Sequence, residues 1–183
     1  MSNIWVALLL LMEVACSHQH LEQVAVHDFG SPHPANGIKS ATKPELSVDA
    51  PEWLQDNRIR YRLLYASPTQ VRFYALDRWI ATPAQLFEQK LLASGKLPGG
   101  QLSVRLLDFE QQFDAPDRAR AVLRFSLTTS EEGKSDHLTT RIISLEQPTI
   151  TPDAKGAVNA FAHLAQQAVN KTQELLTDRM DAR

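Results

Sequence analysis

The chain has 183 residues, a formal net charge of −2, 22% charged and 43% hydrophobic residues, the composition of one globular domain with a core of its own. This charge balance gives no electrostatic case for a nucleic-acid partner. The single cysteine excludes an internal disulfide and any multi-cysteine metal site.

From Ile4 to Met12 the chain is uninterruptedly apolar. The run is about half the ~20 residues that a membrane-spanning helix needs and has the length of a signal-peptide core. It leads into Val14-Ala15-Cys16-Ser17, and the whole resembles a bacterial lipoprotein signal, although Met1-Ser2-Asn3 brings no basic residue and Glu13 stands where such signals carry leucine. Residues 1–15 are then a signal peptide, Cys16 the lipidated N-terminus, and 16–23 a tether. Ser17 after the cysteine implies sorting to the outer membrane. The stretch from Ser17 to Glu45 is rich in His, Gln, Pro, Ser, Gly and Asn. Within it Val24 to Phe29 alternates as a short strand, and Ser31 to Gly37 reads as loop. His18, His20, His27 and His33 lack the spacing and acidic or thiolate partners of a metal site, so solvated histidines are expected.

Leu46 and Val48 alternate in a brief strand over Glu45 to Asp49. Ile59 to Tyr65 and Val71 to Trp79, separated by Ser67-Pro68-Thr69, predict a β-hairpin. Trp53 and Trp79 are read as its hydrophobic anchors rather than as a ligand platform. Thr82-Pro83-Ala84-Gln85 is a capping box with proline at the first helical position, and Gly95 closes the helix, whose buried face carries Ala84, Phe87 and Leu91. Leu102 to Phe113 is the next strand. The order strand, helix, strand predicts a right-handed crossover between parallel strands. Asp114 to Asp117 forms a turn, after which Ala121, Leu123, Phe125 and Leu127 alternate inward, and His137 to Leu145 returns as a hairpin partner. Thr151-Pro152-Asp153 starts the last helix, with Val158, Phe161, Ala165, Val169, Thr172 and Leu176 in one apolar stripe. The fold class is thus α/β of the α+β kind: a mixed, mainly antiparallel sheet of about five strands with two amphipathic helices packed on it. Residues 24–177 form the single domain and 178–183 a tail.

No nucleophile elbow, phosphate loop or dinucleotide fingerprint is present. His137 and His163 are far apart in sequence. Asp108 and Glu110 share one strand face, and solvation at a sheet edge accounts for them better than a paired-carboxylate site. No catalytic, cofactor-binding or metal-ligating residue is assigned.

Several stretches, in order, resemble one family. They are His27-Asp28-Phe29-Gly30, Pro51-Glu52-Trp53-Leu54, Ile59-Arg60-Tyr61-Arg62-Leu63, Tyr74 to Trp79 with Pro83-Ala84-Gln85-Leu86, Phe109 to Arg120, and Asp153 to Ala157. Together they resemble the auxiliary lipoproteins of ABC-type transport systems, the group that includes the paraquat-inducible C lipoproteins. The resemblance implies a non-enzymatic, outer-membrane-anchored periplasmic component of a lipid transport system between the two membranes, whose partner is a mammalian-cell-entry-type protein. Homo-oligomers are compatible with it. The other functional class left open is a stand-alone periplasmic lipoprotein that binds a lipid or small ligand.

Overall fold

A computed structural model describes residues 23–30, 45–95, 101–131 and 134–181. Cys16, the signal, the tether up to residue 22, His18, His20, His33 and the loop from Ser31 to Gly37 lie outside the described residues. The strands are β1 (Ala25–His27), β2 (Glu45–Asp49), β3 (Arg58–Leu63), β4 (Val71–Trp79), β5 (Gln101–Ala115), β6 (Arg118–Glu131) and β7 (Lys134–Pro148); the helices are α1 (Pro83–Ala93) and α2 (Ala154–Asp181). The helix α2 therefore continues into residues 178–181, which the sequence assigns to a tail.

The hairpin β3–β4 forms as its sequence predicts, and Gln70 N–H donates to Ser67 O at 3.0 Å across Pro68. The capping box of α1 is also present. Gln85 N–H donates to Thr82 Oγ1 at 3.3 Å, and Thr82 N–H donates to Gln85 Oε1 at 3.1 Å. Gly95, with φ 64°, takes the left-handed conformation that ends the helix. Asp153 caps α2 by accepting from Gly156 N–H at 2.7 Å and from the Thr151 hydroxyl at 2.7 Å. These bonds hold its carboxyl below the usual carboxylate range. Glycine is required at 156 because a Cβ there would overlap the Thr151 carbonyl oxygen.

The sheet has seven strands rather than about five, in the order β1-β4-β3-β5-β6-β7, with β2 beside the first part of β5. The two additional strands come from β1 and β2 joining the same sheet, each by a short parallel pairing. The parallel part of the sheet is not the predicted crossover through α1. Strand β3 lies between β4 and β5, antiparallel to the first and parallel to the second, so β4 and β5 run in opposite directions. Local hairpin geometry fixed β3 against β4, and β5 then paired with the inner member of that hairpin.

Both helices cover one face of the sheet. Phe87 of α1 meets Phe125 of β6 at 5.4 Å between ring centroids, and Phe161 of α2 stacks on Phe109 of β5 at 4.0 Å. Trp79 contacts Phe29, Phe109 and Phe161, with centroids 5.4, 5.8 and 5.8 Å away. The stripe on α2 is wider than the sequence pattern, because Ala157, Ala160, Leu164 and Ala168 are buried beside Phe161, Ala165 and Val169. Four alanines in that stripe let the helix axis approach the sheet closely.

Trp79→Ala and Phe161→Ala should each lower stability by about 3–5 kcal/mol, the range for large aromatic core residues. Chemical denaturation of the full chain measures this, and unchanged midpoints would contradict the packing described.

Candidate functional site

The face of the sheet turned away from the helices carries the main gathering of charged groups. Its composition follows from an irregularity in β5. Leu102, Val104 and Leu106 point to the helices, then the β5–β6 register shifts between Leu106 and Asp108, and Phe109, Gln111 and Phe113 point inward instead. The extra residue at Leu107 reverses the alternation and sends Asp108 and Glu110 to the open face. There Glu110, only 4% exposed, accepts from Arg62 at 2.9 and 3.1 Å in a two-pronged pair, and from Gln112 Nε2 at 2.9 Å. Arg120 extends the array, donating to Gln112 Oε1 at 3.0 Å and pairing with Asp114 and with Glu146. Burial first, and then the neighbouring Glu110 carboxylate, push the Asp108 carboxyl up to about 6, against the opposing pull of Arg124. The solvated sheet-edge expectation for this pair is thereby corrected: β5 is a central strand, and the non-local β3–β5 pairing brings Arg62 onto Glu110.

Beside this array, Arg60 is buried with its guanidinium 5.3 Å from the rings of both Trp53 and Phe73, and Arg58 lies 3.7 Å over Phe73. Asp56 pairs with both arginines. Trp53 is 52% exposed, so it is not the core anchor expected, and with Trp79 fully interior the two indoles form no common platform. The short 3-10 turn Glu52–Leu54 buries Leu54 instead and turns Trp53 outward.

On the β1 margin, a concavity of about 360 Å³ lies between β1 and α2, lined by Val26, His27, Asp28, Gly30, Ile80, Val158, Asn159 and Ala162. His27 is not a solvated tether histidine: its Nε2 is 2.7 Å from Asp77 Oδ1, with both side chains one quarter exposed. The concavity is near the small end of ligand-site volumes, and its imidazole and the Asp77 carboxylate are already bonded to each other. Between sheet and helices, Trp79, Phe29, Phe109 and Phe161 pack in one aromatic cluster.

Gln111, fully buried on the inner face, accepts from Tyr74 O–H at 2.6 Å and donates to Thr149 Oγ1 and Asp153 O at 3.4 Å. It ties β4, β5 and the start of α2 together, and burial pushes the Tyr74 hydroxyl above its ordinary pKa. Neither Gln111 nor Arg62 carries a sequence signal, since their partners are brought in by strand pairing across the sheet. His163 is exposed on α2, and the side chain of His137 lies outside the described residues. Among the described residues no group of three or more His, Cys, Asp or Glu is placed to hold a metal ion. On the open face Glu110 and Asp114 are paired with arginines, while Asp108 beside Glu110 has its carboxyl pKa raised.

No family model and no curated protein matches the chain. Solved structures do match in fold. One is a crystal structure of an uncharacterized protein, 15% identical, with TM-score 0.62 over 84% of this chain and 99% of that one. Another is protein XCC0632 from Xanthomonas campestris, family DUF330, 14% identical, with TM-score 0.65 over 87% of this chain and 96% of that one. At such identities the likeness is one of fold.

Arg62→Ala should destabilise the chain by about 3 kcal/mol, because it strands a buried Glu110 carboxylate, whereas a joint Arg62→Met, Glu110→Met change should restore much of the loss. Unfolding midpoints of the single and joint variants check this. For Asp108 the folded-state pKa lies above the ordinary 3.8, so its ionisation weakens the fold as pH rises from about 4 to about 6. Asp108→Asn removes that penalty. Its stability relative to the unsubstituted chain should therefore grow across this window and level off above it, as read from unfolding midpoints at several pH values.

Proposed function

We propose that this protein is a lipid-anchored periplasmic lipoprotein of the outer membrane, a non-enzymatic auxiliary component of an ABC-type lipid transport system. Its partner is a mammalian-cell-entry-type protein that spans the periplasm. The observation that carries the reading is the fold shared with XCC0632 over nearly the whole of that chain. DUF330 is the family of the paraquat-inducible auxiliary lipoproteins, and the ordered sequence signatures from His27 to Ala157 point to the same group. Two further features support it. The interior packs Trp79, Phe109 and Phe161 against one another between sheet and helices. No helix among the described residues is long and apolar enough to cross a membrane.

Acylation at two or more chains holds a protein on a bilayer stably, and confinement there raises its effective concentration for a partner that reaches the same surface. A modest, polar contact face then suffices for association. The charged outer face of the sheet and the exposed Trp53 next to Arg60 are of that character.

Cys16→Ser should move the protein from the membrane fraction to the soluble periplasm or leave the precursor unprocessed. Pull-down of the lipidated protein should recover the periplasm-spanning transport protein, and deletion should weaken the membrane barrier to detergents. Tight binding of a free lipid or small ligand without any transporter partner would overturn this function in favour of a stand-alone binding lipoprotein.

A further inference from the structure

On the open face Arg62 is matched by Glu110, and Arg120 by Asp114 and Glu146. One corner departs from this balance. Where β3 begins, Arg58 stands opposite Arg78 of β4, and Trp79 N–H donates to Asn57 O at 2.7 Å beside the pair. Like charges directly opposite each other weaken a strand pair. Arg60 joins them, since its guanidinium shares with that of Arg58 both the Phe73 ring and one Asp56 oxygen. That oxygen accepts from Arg58 at 2.6 Å and from Arg60 at 3.4 Å. Among the described residues Asp56 is the only carboxylate bonded to any of the three, and the exposed Arg78 has no partner.

Arg60 is only 7% exposed, yet that long bond is the one its guanidinium makes. Trp53 and Phe73 flank it with ring centroids 5.3 Å away, while its Nε and Nη1 donate to nothing among the described residues. Burial lowers its pKa against the pull of Asp56, and the Arg58 charge adds to the lowering. The corner thus combines an undercompensated buried cation with two exposed ones that repel each other, a local conflict of the kind found at functional sites.

We propose that Arg58, Arg60 and Arg78 form a binding site for a phosphate group, with the half-exposed Trp53 at its margin. A carboxylate is satisfied by one guanidinium in a two-pronged pair, as Glu110 is by Arg62. Three guanidiniums arriving from two strands suit a tetrahedral anion, which offers acceptor oxygens in several directions. The charge agrees, because three arginines against Asp56 alone leave a cationic excess that a phosphate offsets. Free phosphate and the phosphodiester of a lipid headgroup present the same oxygens. The site lies at one corner of the charged face, and its test does not depend on a transport partner or on the lipid anchor.

The test is titration of the full chain in neutral detergent with inorganic phosphate and with the soluble lipid dihexanoyl phosphatidylglycerol, at an ionic strength held constant with chloride. Binding is read from broadening of the phosphorus NMR line and from a change in emission that Trp53→Phe removes. At least one of the two probes should saturate. Saturation by the lipid alone identifies a headgroup as the source, and saturation by both identifies the phosphate group itself. Joint Arg58→Gln and Arg78→Gln substitution should weaken binding about tenfold or more, the loss expected with charge-assisted hydrogen bonds. Both side chains are exposed, so the unfolding midpoint should be kept. Arg141→Gln, an exposed arginine of β7, should leave binding unchanged. Saturation by neither probe, equal affinity in the joint variant, or equally tight binding of acetate overturns the proposal.

Discussion

The reversal of alternation at Leu107 is the constraint on which the rest of this structure depends. Strand β5 is the one element bonded along its length on one side, by β6, and shared on the other between β2 and β3. Before the extra residue it buries Leu102, Val104 and Leu106, and Leu106 stands opposite Phe125, which Phe87 of α1 covers. After it, β5 buries Phe109, Gln111 and Phe113, and Phe161 of α2 stacks on Phe109. A strand in unbroken alternation would have turned Asp108 and Glu110 under the helix and the phenylalanines to water. The local disruption of the ladder is small beside the cost of burying two unpaired carboxylates.

The same reversal creates the charged outer face. Once Glu110 points outward, Arg62 on the neighbouring parallel strand meets it with two of its three guanidinium nitrogens, and Gln112 and Arg120 join the array. Paired charges of this kind contribute little net stability, but removing one member leaves the other without a partner in a shielded position. Glu110 and Asp114 are held by guanidinium groups, and His27 is bonded to Asp77 at the β1 margin. On the inner side, Trp79, Phe29, Phe109 and Phe161 pack against one another.

The two lateral margins of the sheet differ in length. Strand β1 covers only the last three residues of β4, whereas β7 follows β6 in one register from Thr139 to Pro148.

The sequence by itself determined the elements whose signals are local. The Thr82 capping box, the Ser67-Pro68 turn, the Asp153 start of α2 and the inward set Leu123, Phe125 and Leu127 all stand where their patterns place them, because each depends on residues within one turn or one strand. Trp79 and Phe161 were legible as core for the same reason. The seven-strand order, the insertion of β3 between β4 and β5, the Arg62–Glu110 pair, the outward turn of Trp53 and the bonding of His27 to Asp77 were decided only by the tertiary structure. Each joins residues far apart in the chain or depends on one inserted residue, and no periodicity within a single segment specifies which distant strand will supply the other half of a contact.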